Sequence, residues 1–135
     1  MSIFKTILLI DDDVISNFIT EKLIIREGFG RRVITYQNAE DALDFLNQCL
    51  KANEPFPDLI FLDLNMPGMD GWEFLEEYRK FPEGTINACR LFMLSSAVDA
   101  KDIVHAKSLN EVEDFISKPL TTEDMVIIRE RNFNE

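Results

Sequence analysis

Of the four wholly apolar four-residue runs in this chain, three have strand character: Ile7-Leu8-Leu9-Ile10, Leu59-Ile60-Phe61-Leu62 and Leu91-Phe92-Met93-Leu94; the fourth, Met125-Val126-Ile127-Ile128, belongs to the last segment of helical period. A strand with one wet face alternates apolar and polar residues, so an unbroken run marks a strand buried on both faces. Segments of helical period lie between the runs. Residues 14–27 carry Ile15, Phe18, Ile19 and Leu23 at helical spacing, which predicts a helix with that face inward. Gly28 and Gly30 are expected to end it. Val33-Ile34-Thr35-Tyr36 reads as a second strand. Asn38 is placed to cap a helix holding Ala39, Ala42, Leu43, Leu46, Cys49 and Leu50, and a loop with two prolines runs from Lys51 to Pro57. A third helix is predicted near Gly71 with Trp72, Leu75 and Tyr78. Asp99 is expected to cap a fourth with Ile103 and Val104, and Thr121 a fifth with Met125 and Ile128. Phe115-Ile116 supplies a short fifth strand. Five strands alternating with five helices imply an α/β fold with a parallel sheet and helices on both faces.

In such a sheet the working groups sit just beyond the carboxyl ends of the strands. The first run is followed by Asp11-Asp12-Asp13, the third strand by Asp63, the fourth by Ser95 and Ser96, and the fifth by Lys118-Pro119. Two carboxylates about 4 Å apart repel by roughly 4 kcal/mol at an effective dielectric near 20. Three sharing one site need a cation or a raised pKa. Hard oxygen ligands of this kind suit Mg²⁺. A divalent cation, a lysine, a hydroxyl and a carboxylate nucleophile together are equipment for phosphoryl transfer.

Composition narrows the setting. Lys plus Arg is 14 and Asp plus Glu is 25, a net charge of −11. That sign argues against nucleic acid and against an anionic membrane surface as partners. Two cysteines, Cys49 and Cys89, form no CxxC pattern and read as reduced thiols of a cytoplasmic protein. With 135 residues, 46% of them hydrophobic, residues 1–135 read as a single domain without an output domain.

The segments Ile7 to Asp13, Asp58-Leu59-Ile60-Phe61-Leu62-Asp63-Leu64-Asn65-Met66-Pro67-Gly68-Met69-Asp70-Gly71, Phe92 to Ser96 and Phe115-Ile116-Ser117-Lys118-Pro119 together resemble the receiver domain of two-component response regulators. The resemblance implies a flavodoxin-like doubly wound (βα)5 fold, with a five-stranded parallel sheet in the order 2-1-3-4-5. It implies that Asp63 is the phosphoacceptor and that Asp12 binds Mg²⁺ directly. Asp11 would act mainly through a water of the metal shell, with the backbone carbonyl of Asn65 a further ligand. Ser95 would be the switch hydroxyl, Lys118 the partner of Asp63 or its phosphate, and Phe115 the aromatic switch. The Lys118–Pro119 bond is expected to be cis. Implied partners are a sensor histidine kinase or phosphotransfer protein, and an output protein on the face of the fourth helix, fifth strand and fifth helix. The module is expected to be a monomer or weak dimer. It departs from the family's usual pattern in having Ser at 95, Ser at 96, a long stretch from Asn38 to Pro57 and a short last helix.

Competing readings are weaker. Asp13 reads as a helix N-cap, Ser96 as a turn residue and His105 as a surface residue. A phosphatase of the haloacid dehalogenase type would need an acid two residues after its nucleophile. Asn65 stands there and cannot exchange a proton. A dinucleotide site is disfavoured because Gly28 and Gly30 follow a helix rather than a strand. Asn65 and Ala97 flank the acceptor and are expected to tune the lifetime of its phosphate.

Overall fold

The computed structural model describes residues 4–96 and 99–133, so Ala97 lies outside the described residues. In chain order the elements are β1 (Phe4–Ile10), α1 (Val14–Arg26), β2 (Gly30–Tyr36), α2 (Ala39–Lys51), β3 (Leu59–Leu62) and α3 (Gly71–Tyr78). They continue with α4 (Glu83–Asn87), β4 (Arg90–Ser95), α5 (Ala100–Lys107), β5 (Asp114–Ser117) and α6 (Thr122–Phe133). The strands form one parallel sheet in the order β2-β1-β3-β4-β5, as the resemblance implied.

Alternation within the apolar runs divides the core. Leu8, Ile10, Ile60, Leu62, Leu91 and Met93 face α2, α3 and α5 on one side of the sheet. Ile7, Leu9, Leu59, Phe61, Phe92 and Leu94 face Ile24 of α1 and Met125 and Ile128 of α6 on the other. Every second residue serves the opposite layer, which is why these runs carry no polar position.

Side chains fix where the helices begin. Asp13 accepts from the backbone N–H groups of Ile15 and Ser16 at 3.0 and 3.2 Å. Asn38 accepts from Asp41 N–H at 2.7 Å. Asp70 and Glu73 close a reciprocal capping box on α3, and Thr121 and Asp124 do the same on α6. Each such cap is worth about 1 kcal/mol.

Four expectations need correction. Among the described residues there are six helices, because Pro82 opens an extra helix of five residues, α4, too short to show a hydrophobic period. The predicted fourth and fifth helices are therefore α5 and α6, and α6 runs for 12 residues rather than being short. Gly28, at φ 68°, ends α1, whereas Gly30 opens β2. The largest difference is the phase of α1. Its buried residues are Asn17, Thr20 and Ile24, while Ile15, Phe18 and Ile19 are 70%, 60% and 58% exposed. Leu23 alone of the predicted face packs partly against the core. Among the described residues, no helix is long and apolar enough to cross a membrane.

Gly71 ties α3 to the end of β3. Its N–H donates to the Leu64 carbonyl at 2.9 Å, and a β-carbon on it would lie 2.8 Å from the Asp63 carbonyl oxygen and 2.9 Å from the Leu64 Cα. Both obstacles are backbone and cannot swing aside. Gly71→Ala is therefore expected to cost about 1–3 kcal/mol of stability. Urea denaturation measures this as a lower midpoint at unchanged slope; an unchanged midpoint would contradict the packing.

Candidate functional site at the carboxyl edge of the sheet

Strand register assembles the site. Ile10 pairs with Leu62 across β1 and β3, so the next residues, Asp11 and Asp63, emerge side by side. The Asp63 N–H donates to the Ile10 carbonyl at 2.9 Å, which holds the two strand ends together. Ser95 pairs with Ser117 across β4 and β5, and the Lys118 N–H donates to the Ser95 carbonyl at 3.0 Å. These contacts bring Asp11, Asp63, Ser95 and Lys118 from four strands to one edge. The sheet order reverses direction between β1 and β3, the point where open α/β sheets form their crevice.

Carboxylate oxygens of Asp11, Asp12 and Asp63 all lie within 4.8 Å of one another. Asp11 and Asp63 are buried and Asp12 is exposed. The Lys118 ammonium contacts Asp11 Oδ2 directly and stands 3.6 Å from Asp63 Oδ2. Lys118 is thus nearer to Asp11 than to the expected partner Asp63. The Lys118–Pro119 peptide bond is cis, as expected. One ammonium among three carboxylates leaves an anionic, oxygen-rich pocket, which fits a hard divalent cation.

Burial drives the Asp63 carboxyl up to about pKa 6 from its ordinary 3.8. Lys118 opposes that shift, Asp11 reinforces it through its charge and a hydrogen bond, and the Asn65 N–H lowers it. The Asn65 N–H lies 3.4 Å from Asp63 Oδ1, and the Asn65 side-chain amide donates to Ser95 Oγ at 3.5 Å. Asn65 thereby bridges Asp63 and the Ser95 hydroxyl. Ser95 is buried and Ser96 exposed. Phe115, paired with Met93 across β4 and β5, is half-buried and packs against the core.

Asn17 was not singled out in the sequence. It is buried beneath the cluster, and its side-chain amide donates to the Asp11 carbonyl at 2.8 Å. Asp13, the helix cap, also donates its N–H to Asp11 Oδ1 at 2.9 Å. The signal for Asn17 was its position four residues after the cap, which puts it on the inner side of the first turn.

Residues 7–129 match the response regulator receiver domain family. The chain belongs to that family. A two-component response regulator from Cytophaga hutchinsonii is 30% identical with a TM-score of 0.89, the match covering 98% of each chain. A response regulator receiver protein from Dyadobacter fermentans is 35% identical with a TM-score of 0.84, covering 96% of this receiver and 98% of that one. The Mn²⁺-bound form of response regulator Rcp1 is 25% identical with a TM-score of 0.70, covering 92% of this chain and 88% of that one.

The raised Asp63 pKa has a defined sign. Without divalent cations, the folded receiver holds this proton more tightly than the unfolded chain does. The unfavourable contribution of the buried charge is therefore absent below the unfolded value of 3.8, grows as pH rises towards about 6, and is complete above it. Asp63→Asn is expected to be more stable than the parent by about 1–3 kcal/mol near pH 7.5. Thermal melts across this range should show the gain shrinking to nothing near pH 4; a gain independent of pH would contradict the assignment.

Proposed function

We propose that this receiver acts as a stand-alone cytoplasmic module that accepts a phosphoryl group on Asp63 from the phosphohistidine of a sensor kinase or phosphotransfer protein. Its signal then leaves through a change of protein contacts. The observation that carries this reading is the convergence of three carboxylates, a buried hydroxyl and a lysine on one strand edge. Asp11, Asp12, Asp63 and the backbone carbonyl of Asn65 would hold Mg²⁺. That the relative Rcp1 has a Mn²⁺-bound form supports divalent-ion binding by this chain. Bound there, the cation would neutralise oxygens of the transferring group.

The chain's own residues do the rest. With a pKa of about 6, Asp63 is mostly anionic at neutral pH and therefore able to attack phosphorus. Lys118, already between Asp11 and Asp63, offsets the added negative charge. Ser95 turns its hydroxyl from Asn65 towards a phosphoryl oxygen, and Phe115 moves inward behind it. The face of α5, β5 and α6 then changes, with Val104, Val126 and Ile127 exposed on its helices for a partner. Moving such an equilibrium from 1:99 to 99:1 takes about 5.5 kcal/mol. A phosphoryl group with new partners in a cation, Lys118 and Ser95 is of that order.

The donor must reach Asp63 from outside, and α1 begins directly after Asp11–Asp13. Its outer face exposes Val14, Ile15, Phe18 and Ile19, a surface suited to apolar helices of the donor.

Incubation with Mg²⁺ and acetyl phosphate should give a labile phosphoryl adduct in intact-mass spectra, and Asp63→Ala should give none. No adduct on the parent chain would overturn the reading. Lys118→Ala is expected to bind Mg²⁺ still, yet to lose the amide shifts that acetyl phosphate induces in α5 and β5. Unchanged shifts would remove Lys118 from its role.

A further inference from the structure

On the side of the sheet away from α1, helices α2 and α3 leave a groove of about 480 Å³ between them. Its floor is apolar, made by Leu43, Leu50, Met69 and Phe81. Its acidic edge is Glu40 and Asp44 on α2, facing Glu77 on α3 across the groove. Lys80 also lies on the edge, but its ammonium is engaged by Glu77 at 2.9 Å. Leu50 is 40% exposed, so the apolar floor is open to an incoming side chain. The upper end of the groove reaches the segment after Asp63. Met69 belongs to it, and a methyl group on Gly68 would sit 3.7 Å from the Glu40 carboxylate.

We propose that this groove docks an amphipathic helix of a partner protein, with leucine-type side chains on one face and lysine or arginine along its flanks. The charge pattern selects this occupant. An acidic or uncharged helix would cover Glu40 and Asp44 without supplying partners, and leaving carboxylates buried and unpaired is costly. A second copy of this chain, with its net charge of −11, brings the same sign. Nucleic acid and anionic membranes are repelled for the same reason. The dimensions also agree. With 13 residues, α2 is about 20 Å long, room for three to four turns of a helix laid ridges into grooves. The occupant would rest on the segment that carries the acceptor, yet on the opposite side of the sheet from the exposed face of α1.

The test is an NMR titration of the ¹⁵N-labelled receiver with a synthetic amphipathic helix of about 18 residues, built from leucine and lysine at helical spacing. Amide shifts are expected to centre on residues 40–50, 69 and 77–82. Asp44→Lys and Leu50→Asp should each weaken binding by tenfold or more. Glu130→Lys, the same charge change on exposed α6, should alter it less than twofold. A peptide with glutamate in place of lysine should not bind. Equal weakening by Asp44→Lys and Glu130→Lys would overturn the proposal by showing diffuse attraction to an acidic protein. Shifts centred on α1 or α6, binding of the glutamate peptide, or no shift at millimolar peptide would overturn it equally.

Discussion

The structure depends on a repulsion that the sheet enforces. Parallel pairing between β1 and β3 sets Ile10 against Leu62, and the next two residues are both aspartates. Neither can retreat, because the Asp63 N–H is bonded to the Ile10 carbonyl and Asn17 grips the Asp11 carbonyl from below. The fold spends part of its stability on holding like charges together. That stress is relieved from the far side of the sheet by Lys118 and, on our reading, by a cation. Phosphorylation would therefore act on a site already out of electrostatic balance, where one added group shifts the positions of its neighbours.

The other elements follow from serving that edge. Two apolar layers make the strands rigid from below, so that side chains one residue past their ends project from fixed points. Gly71 brings α3 against the backbone of Asp63 and Leu64 more closely than any side chain would allow. Asp13 uses its side chain for α1 and its N–H for Asp11, joining the start of a helix to the charge cluster. Local capping and site assembly are thus one set of contacts.

Much of this was legible in the sequence because strands buried on both faces leave an unmistakable record. The runs ending at Ile10, Leu62 and Leu94 placed Asp11, Asp63 and Ser95 correctly at the carboxyl edge of the sheet. Helix α1 was not legible in the same way. Its apolar residues have a helical period, but the period reports only that they share a face, not which way it points. The cap at Asp13 sets the phase, and the layer beneath the acidic cluster calls for polar groups such as Asn17 and Thr20. Helix α4 is too short to carry a pattern. The bridge from Asn65 to Ser95 joins residues 30 apart in sequence and exists only once the strands are paired.

One contact outside the acidic cluster has a practical meaning. The chain has one tryptophan and one histidine, and they meet: Trp72 in the first turn of α3 stacks on His105 of α5, ring centroids 4.1 Å apart and 23° from coplanar. Trp72 follows Gly71, which is seated on the backbone of Asp63 and Leu64. Helix α5 buries Ala106 against the core, and this stack adds a contact between its outer side and α3. The indole is therefore a natural optical gauge, whose emission registers the separation of two helices without any label being attached.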